Sequence, residues 1–216
     1  MRKIITSIIC ATIMFALPSQ VQARDLGDIL AGFLTRKSQA ECTLSSDISK
    51  VMDDLKAKTT PIDNAVQDSF LTMVSILSDG NGASTWSNEI RSIINNTRIT
   101  EQEKSNLLTQ KMSDYLNTIK KDRRTFISTM KNLPQDKKTE LKNQIAIMEK
   151  NSKEYLNLGK QSAKISSKLL KNASRSDDLS SVVTDINEAA KDLKNKAKSS
   201  LTLTGQVKLL SKLAGI

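Results

Sequence analysis

Apolar residues recur every three or four positions along almost the whole chain, and this spacing constrains the fold more than any other feature. Such a period places side chains on one face of a helix, whereas a half-buried strand needs alternation at every second residue, which no stretch sustains. Helix breakers are few: beyond residue 23 the prolines are Pro61 and Pro134. The pattern predicts an all-α protein built as a helical bundle.

The longest apolar stripe predicts two long helices in the second half of the chain. Thr100-Glu101-Gln102-Glu103 is a capping box that opens the first helix, and Leu133-Pro134 ends it because a residue before proline avoids the helical region. The stripe steps by four and three through Leu108, Met112, Tyr115, Ile119, Asp122, Phe126 and Thr129, and it resumes through Leu141, Ile145, Met148 and Tyr155. So short a connection predicts a long antiparallel, coiled-coil-like helical hairpin around residues 101–172. An extended coiled-coil rod is the alternative.

Small residues follow the second part of this stripe. Gly159, Ser162, Ala163 and Ser166 share the face that Tyr155 begins. Because short side chains fill little space, we expect a neighbouring helix to approach closely there.

The rest of the chain is divided by turn signals. Residues 24–79 are expected to hold N-terminal amphipathic helices, at 26–34, at 44–55 and after Thr60-Pro61, which resembles a helix start. Residues 80–99 are expected to form a glycine-containing loop and a short helix, and residues 173–216 C-terminal helices that pack on the bundle. Residues 24–216 are expected to form one domain.

The first 23 residues have the order of parts found in a secretory signal peptide. Arg2 and Lys3 precede an apolar run over 4–17, and Val21-Gln22-Ala23 suits a cleavage site. An uncleaved anchor is the alternative. We expect export, to a bacterial periplasm or to the outside of the cell.

Positive charge is concentrated in one part of the chain. Residues 24–119 hold 10 basic and 13 acidic side chains, residues 120–175 hold 15 and 5, and residues 176–216 hold 6 and 5. A local surplus of this kind attracts anionic partners in a salt-sensitive way, although charge runs are often only solvated helix faces. The expected anion-binding side chains are Lys120, Lys121, Arg123, Arg124, Lys131, Lys137, Lys138 and Lys142.

The composition of the chain excludes several kinds of catalytic and metal-binding site. The chain has no histidine, which excludes a Ser-His-Asp triad and a histidine-bound metal. Cys42 is the one cysteine after the signal segment, so it is either a free thiol or an intermolecular link. Ser128 and Lys131 match S-x-x-K, but the companion motifs of penicillin-binding enzymes are absent. We expect no enzyme, no cofactor and no metal.

Three functions fit these features. The first is a non-enzymatic module that binds a protein or an anionic envelope component, such as a lipid headgroup, lipopolysaccharide or a cell-wall polymer, through the basic hairpin. The second is a holdase: the chain is similar in broad character to periplasmic holdase chaperones, which are small, basic and exported. The third is action on membranes by the amphipathic stretches at 26–34 and 207–213. Nucleic acid is a poor candidate, since basic and aromatic residues are not interleaved. The apolar stripe also fits a homo-oligomer contact.

Overall fold

Six helices make up the part of the chain described by the structure, a computed structural model that covers residues 41–78, 83–172 and 177–216. They are α1 (Glu41–Ser78), α2 (Ala83–Ile94), α3 (Glu101–Lys121), α4 (Arg123–Asn132), α5 (Gln135–Asn172) and α6 (Asp177–Leu213). The predicted all-α bundle is confirmed. The predicted signal peptide, the stretch at 26–34 and the side chain of Cys42 lie outside the described residues.

Helix α1 passes straight through the position where the sequence predicted a helix start. Pro61 lies inside it, so the predicted start at Thr60-Pro61 is wrong. Proline has no N–H for the carbonyl four residues earlier, but that residue, Ala57, is exposed, and water can hydrate its carbonyl oxygen. One turn of the helix near the proline is bonded by side chains as well, since the hydroxyl of Thr60 donates to the carbonyl oxygen of Lys56 at 2.9 Å.

The ends of α3 and α4 follow local rules that the sequence shows. The backbone N–H of Glu103 donates to the hydroxyl of Thr100 at 3.2 Å, and the N–H of Thr100 donates to the Glu103 carboxylate at 2.7 Å, which completes the predicted capping box. This backbone hydrogen bond from Thr100 lowers the pKa of Glu103. Leu133 is extended before Pro134, as predicted. The helix expected over 101–133 is interrupted at Asp122 (φ −120°, ψ 47°), one of the two polar positions in the apolar stripe.

The principal helix pair differs from the predicted one. Helix α5 packs chiefly against α6 and next against α1, whereas α3 packs chiefly against α6 and α2. The hairpin predicted around 101–172 is therefore not specifically seen. Local periodicity marks an apolar face on each helix, but it does not say which other face covers it.

Small residues bring α5 and α6 together, as the stripe at Gly159 predicted for a neighbouring helix. A Cβ atom placed on Gly159 would lie 3.2 Å from the carbonyl oxygen of Ala190. The hydroxyl oxygens of Ser152 and Ser200 are 2.6 Å apart in a buried contact between the two helices. No helix in the described ranges is long and apolar enough to cross a membrane.

We predict that Gly159→Leu destabilises the bundle by about 1–3 kcal/mol, because a side chain at this position meets the backbone of α6. Urea unfolding followed by circular dichroism measures the change in the free energy of unfolding. The matched control is Gly205→Ala. A Cβ there meets nothing within 4 Å, so removing an exposed helical glycine should stabilise the protein by up to about 1 kcal/mol. Equal effects at the two glycines would contradict the close approach.

Candidate functional site

The eight predicted anion-binding side chains lie on three consecutive helix segments, and we call them the basic corner. Lys120 and Lys121 form the last turn of α3, Arg123 and Arg124 open α4, Lys131 closes it, and Lys137, Lys138 and Lys142 lie in the first turns of α5. Helix α4 has 10 residues and is therefore about 15 Å long. Six of the eight side chains are exposed, and Lys137 and Lys138 are half-buried.

Most of the charge at the basic corner has no carboxylate partner. Lys137 pairs with Glu140 at 2.8 Å, and the other seven cations make no ion pair within the described residues. Several lysines in other parts of the bundle do pair with acids: Lys104 with Glu101, Lys111 with Glu89, Lys196 with Asp63 and Asp192, and Lys208 with Glu149. The corner therefore presents a net positive surface to solvent.

Two cavities run along α4 beside the basic corner, and together we call them the α4 groove. The larger is a cleft of about 580 Å³ lined by Ile76, Thr125, Ser128, Thr129, Asn132, Leu133, Pro134, Asp136 and Lys137. The smaller is a pocket of about 90 Å³ lined by Leu77, Ser78, Trp86, Tyr115, Thr118, Asp122, Thr125, Phe126 and Thr129. Thr125 and Thr129 line both cavities, so the two lie side by side along α4.

An aromatic cluster forms the floor of the smaller pocket. The ring of Tyr115 meets those of Trp86, Phe126 and Phe70 edge-on, with centroids 5.3, 5.9 and 6.1 Å apart. The Tyr115 hydroxyl lies 3.1 Å from that of Ser78, and burial raises the pKa of Tyr115. Sequence reasoning missed this pocket. The stripe put Tyr115 and Phe126 on one face, but nothing local places Trp86 against them.

A polar cluster joins α1, α5 and α6 at a second place in the bundle. The Tyr155 hydroxyl donates to the Asp63 carboxylate at 2.5 Å. The Lys196 ammonium lies 3.1 Å from Asp63 and 3.3 Å from Asp192, and its side chain is only 10% exposed. Burial raises the pKa of Tyr155, and the negative charge of Asp63 raises it further. Tyr155 is therefore a permanent donor here, and it does not act as a base.

A small void adjoins this polar cluster. It measures about 20 Å³, and its lining includes Asp63, Gln67, Ser105, Thr109 and Lys196. That is room for one water molecule with several polar partners. No group of three or more His, Cys, Asp or Glu side chains is arranged to hold a metal ion in the searched ranges of the chain. The polar cluster is best explained as a structural tie between three helices.

Comparisons with protein families, with curated proteins and with solved structures found no match to this chain. The charge and shape of this chain alone therefore indicate its candidate site. The basic corner and the α4 groove share Lys137, and both include residues of α4. Together they form a candidate binding surface.

We predict that Tyr155→Phe costs more stability than Tyr115→Phe. The Tyr155 hydroxyl donates to a carboxylate, and such a bond contributes about 1.5–3 kcal/mol, whereas the neutral pair of Tyr115 and Ser78 contributes about 0.5–1.5 kcal/mol. Both side chains are buried, so each variant controls for the other. Urea unfolding of the two variants gives the comparison, and a larger loss for Tyr115→Phe would contradict it.

We predict that neither tyrosine ionises near pH 10 while the protein is folded. The chain has two tyrosines, and burial raises the pKa of both above the ordinary value of 10.0. A group that must stay protonated in the folded state contributes stability below its unfolded pKa and loses it as the pH rises above that value. Tyrosinate absorbance should therefore appear together with alkaline unfolding, as judged by circular dichroism. Absorbance that rises around pH 10 in folded protein would contradict the burial of both hydroxyls.

Proposed function

We propose that the protein is an exported, non-enzymatic binding module that holds an acidic partner on its basic corner. The partner is another protein or an anionic component of the cell envelope. The observation that carries this proposal is the set of seven cations around α4 that make no ion pair with any described part of the chain.

The position of these cations on the helices supports a role in binding. Arg123 and Arg124 occupy the first turn of α4, which contains no acidic residue. Lys137 and Lys138 lie in the first turn of α5, where Asp136 is the one acid. A helix N-terminus carries a partial positive charge, so cations there are unfavourable by tenths of a kcal/mol to about 1 kcal/mol each. The helix dipole does not favour cations at these four positions, whereas an anionic partner would be attracted both to them and to the helix ends.

The kind of cation indicates the kind of recognition. Six of the eight side chains are lysines, which act as mobile point charges, whereas arginine is suited to bidentate bonds with one phosphate or carboxylate. Diffuse attraction of this type raises the rate of association and falls with ionic strength. The signal-peptide pattern at residues 1–23 supports export, and it favours envelope components as partners.

We predict that changing Lys120, Lys121, Arg123 and Arg124 to Gln weakens partner binding by about tenfold or more, because the steering charge is lost. The purified mature protein is immobilised and exposed to envelope extract at low and at high salt. The partner should be held by the unchanged protein at low salt and released by salt.

The matched control changes four other exposed lysines, Lys150, Lys153, Lys160 and Lys164, to Gln on the middle of α5. Both variants lose four charges, so only the place of the loss differs. Equal loss of binding in the two variants would mean that net charge matters and the corner does not. Binding that neither variant nor salt affects would overturn the proposal.

A further inference from the structure

We propose that the α4 groove and the basic corner together bind an acidic peptide segment of another protein, with one aliphatic side chain of that segment in the 90 Å³ pocket. This inference rests on the proposed function, and it names the partner class and the way it is held.

The pocket has an apolar floor and a polar rim. Leu77, Tyr115 and Phe126 are buried beneath it, and Trp86 is half-buried at its side. The rim consists of the exposed Asp122 and three half-buried threonines, Thr118, Thr125 and Thr129. Aromatic rings at the base of a small concavity are typical of the places where a partner inserts an anchoring side chain.

The volume of the pocket selects the size of the anchor. An apolar cavity of about 150 Å³ accommodates benzene, whereas a single water occupies about 30 Å³ of liquid. At about 90 Å³ the pocket is smaller than that benzene-binding cavity and larger than one water requires. It therefore suits a branched aliphatic side chain such as that of valine or leucine.

The larger cleft has the space and the hydrogen-bonding groups that a peptide backbone requires. Its volume of about 580 Å³ is within the range of ligand-binding clefts, and its lining is rich in hydroxyl and amide groups. Thr125, Ser128 and Asn132 follow one another along the same side of α4 and can both donate and accept hydrogen bonds. An extended segment that places its anchor in the pocket can continue along this row.

Charge decides the composition of the segment beside the anchor. Between residues 120 and 142 the chain has eight cations and three carboxylates, those of Asp122, Asp136 and Glu140. Arg124 lies four residues before Ser128 and Lys131 three residues after it, so both share a face of α4 with a residue that lines the groove. Acidic side chains on the partner would meet these cations. A lipid acyl chain needs a longer apolar channel, and a sugar polymer has no aliphatic side chain to insert, so a protein segment is the occupant that uses every part of the surface.

Trp86 gives a direct probe of this binding. It is the single tryptophan of the chain and it lines the pocket, so its fluorescence reports entry of a side chain. The mature protein is titrated with synthetic acidic peptides without tryptophan that differ only at a central Gly, Val, Leu or Phe. The Leu or Val peptide should bind about tenfold more tightly than the Gly peptide and shift Trp86 emission, since burying such a side chain removes apolar surface from water. The Phe peptide should lose this advantage.

Filling the pocket with a longer side chain tests its role in binding. Thr129→Met adds a longer side chain on the shared wall of the two cavities, and Thr139→Met is the matched control at an exposed position of α5 outside both. Thr129→Met should abolish the preference for Leu over Gly while salt-sensitive binding of both peptides remains. Thr139→Met should change neither. Urea unfolding of both variants checks that each is folded.

The possible results separate this inference from the proposed function. Binding of all peptides with equal strength, lost in the four-fold Gln variant of residues 120–124, would overturn the anchor pocket and leave the basic corner as a binding site. Binding of anionic lipid vesicles with no binding of any peptide would overturn the protein segment as partner. Failure of peptides, vesicles and envelope extract alike, at low salt, would overturn the proposed function itself.

Discussion

The close approach of α5 and α6 is the contact on which the other helices depend. Helix α6 touches α1, α3, α4 and α5, so its position against α5 sets the frame for the rest of the bundle. The approach exists because Gly159 leaves the carbonyl of Ala190 within reach and because the paired hydroxyls of Ser152 and Ser200 occupy little space. Dispersion contacts between two long backbones are weak one by one and large together, and a bulkier side chain would remove many of them at once.

The polar cluster fixes the register of α5 against α6, which the small-residue contact does not fix. The Ser and Gly contacts alone offer few interlocking side chains that would fix the register of the two helices. Asp63 fixes that register, because its carboxylate accepts from Tyr155 on α5 and from Lys196 on α6. A slip would leave a charge buried without its partner, which costs several kcal/mol. The aromatic cluster at Tyr115 is a second fixed point, near the end of α1, and it forms the floor of the α4 groove.

The sequence predicts the parts of this structure that depend on near neighbours in the chain. Thr100 and Glu103 meet because they are three residues apart, and Pro134 ends a helix by its own ring. Pro61 shows the limit of such rules: the same ring is tolerated inside α1 because the carbonyl it leaves unbonded is on the exposed side of the helix. The partner of α5 and the meeting of Trp86 with Tyr115 depend on contacts between distant segments. Every amphipathic face is compatible with several partners, so periodicity alone does not choose among them.

The basic corner lies on helices that the rest of the bundle stabilises. Cations at the N-terminal turns of α4 and α5 oppose the helix dipoles and repel one another. These costs are tolerable because both segments are held elsewhere, α4 by Phe126 and Met130 in the core and α5 by its contact with α6. A groove whose floor is already packed also requires little ordering when a partner arrives, and that saving strengthens binding without any additional contact. The unfavourable cations at the corner and the packed helices beneath them are therefore both required for this binding surface.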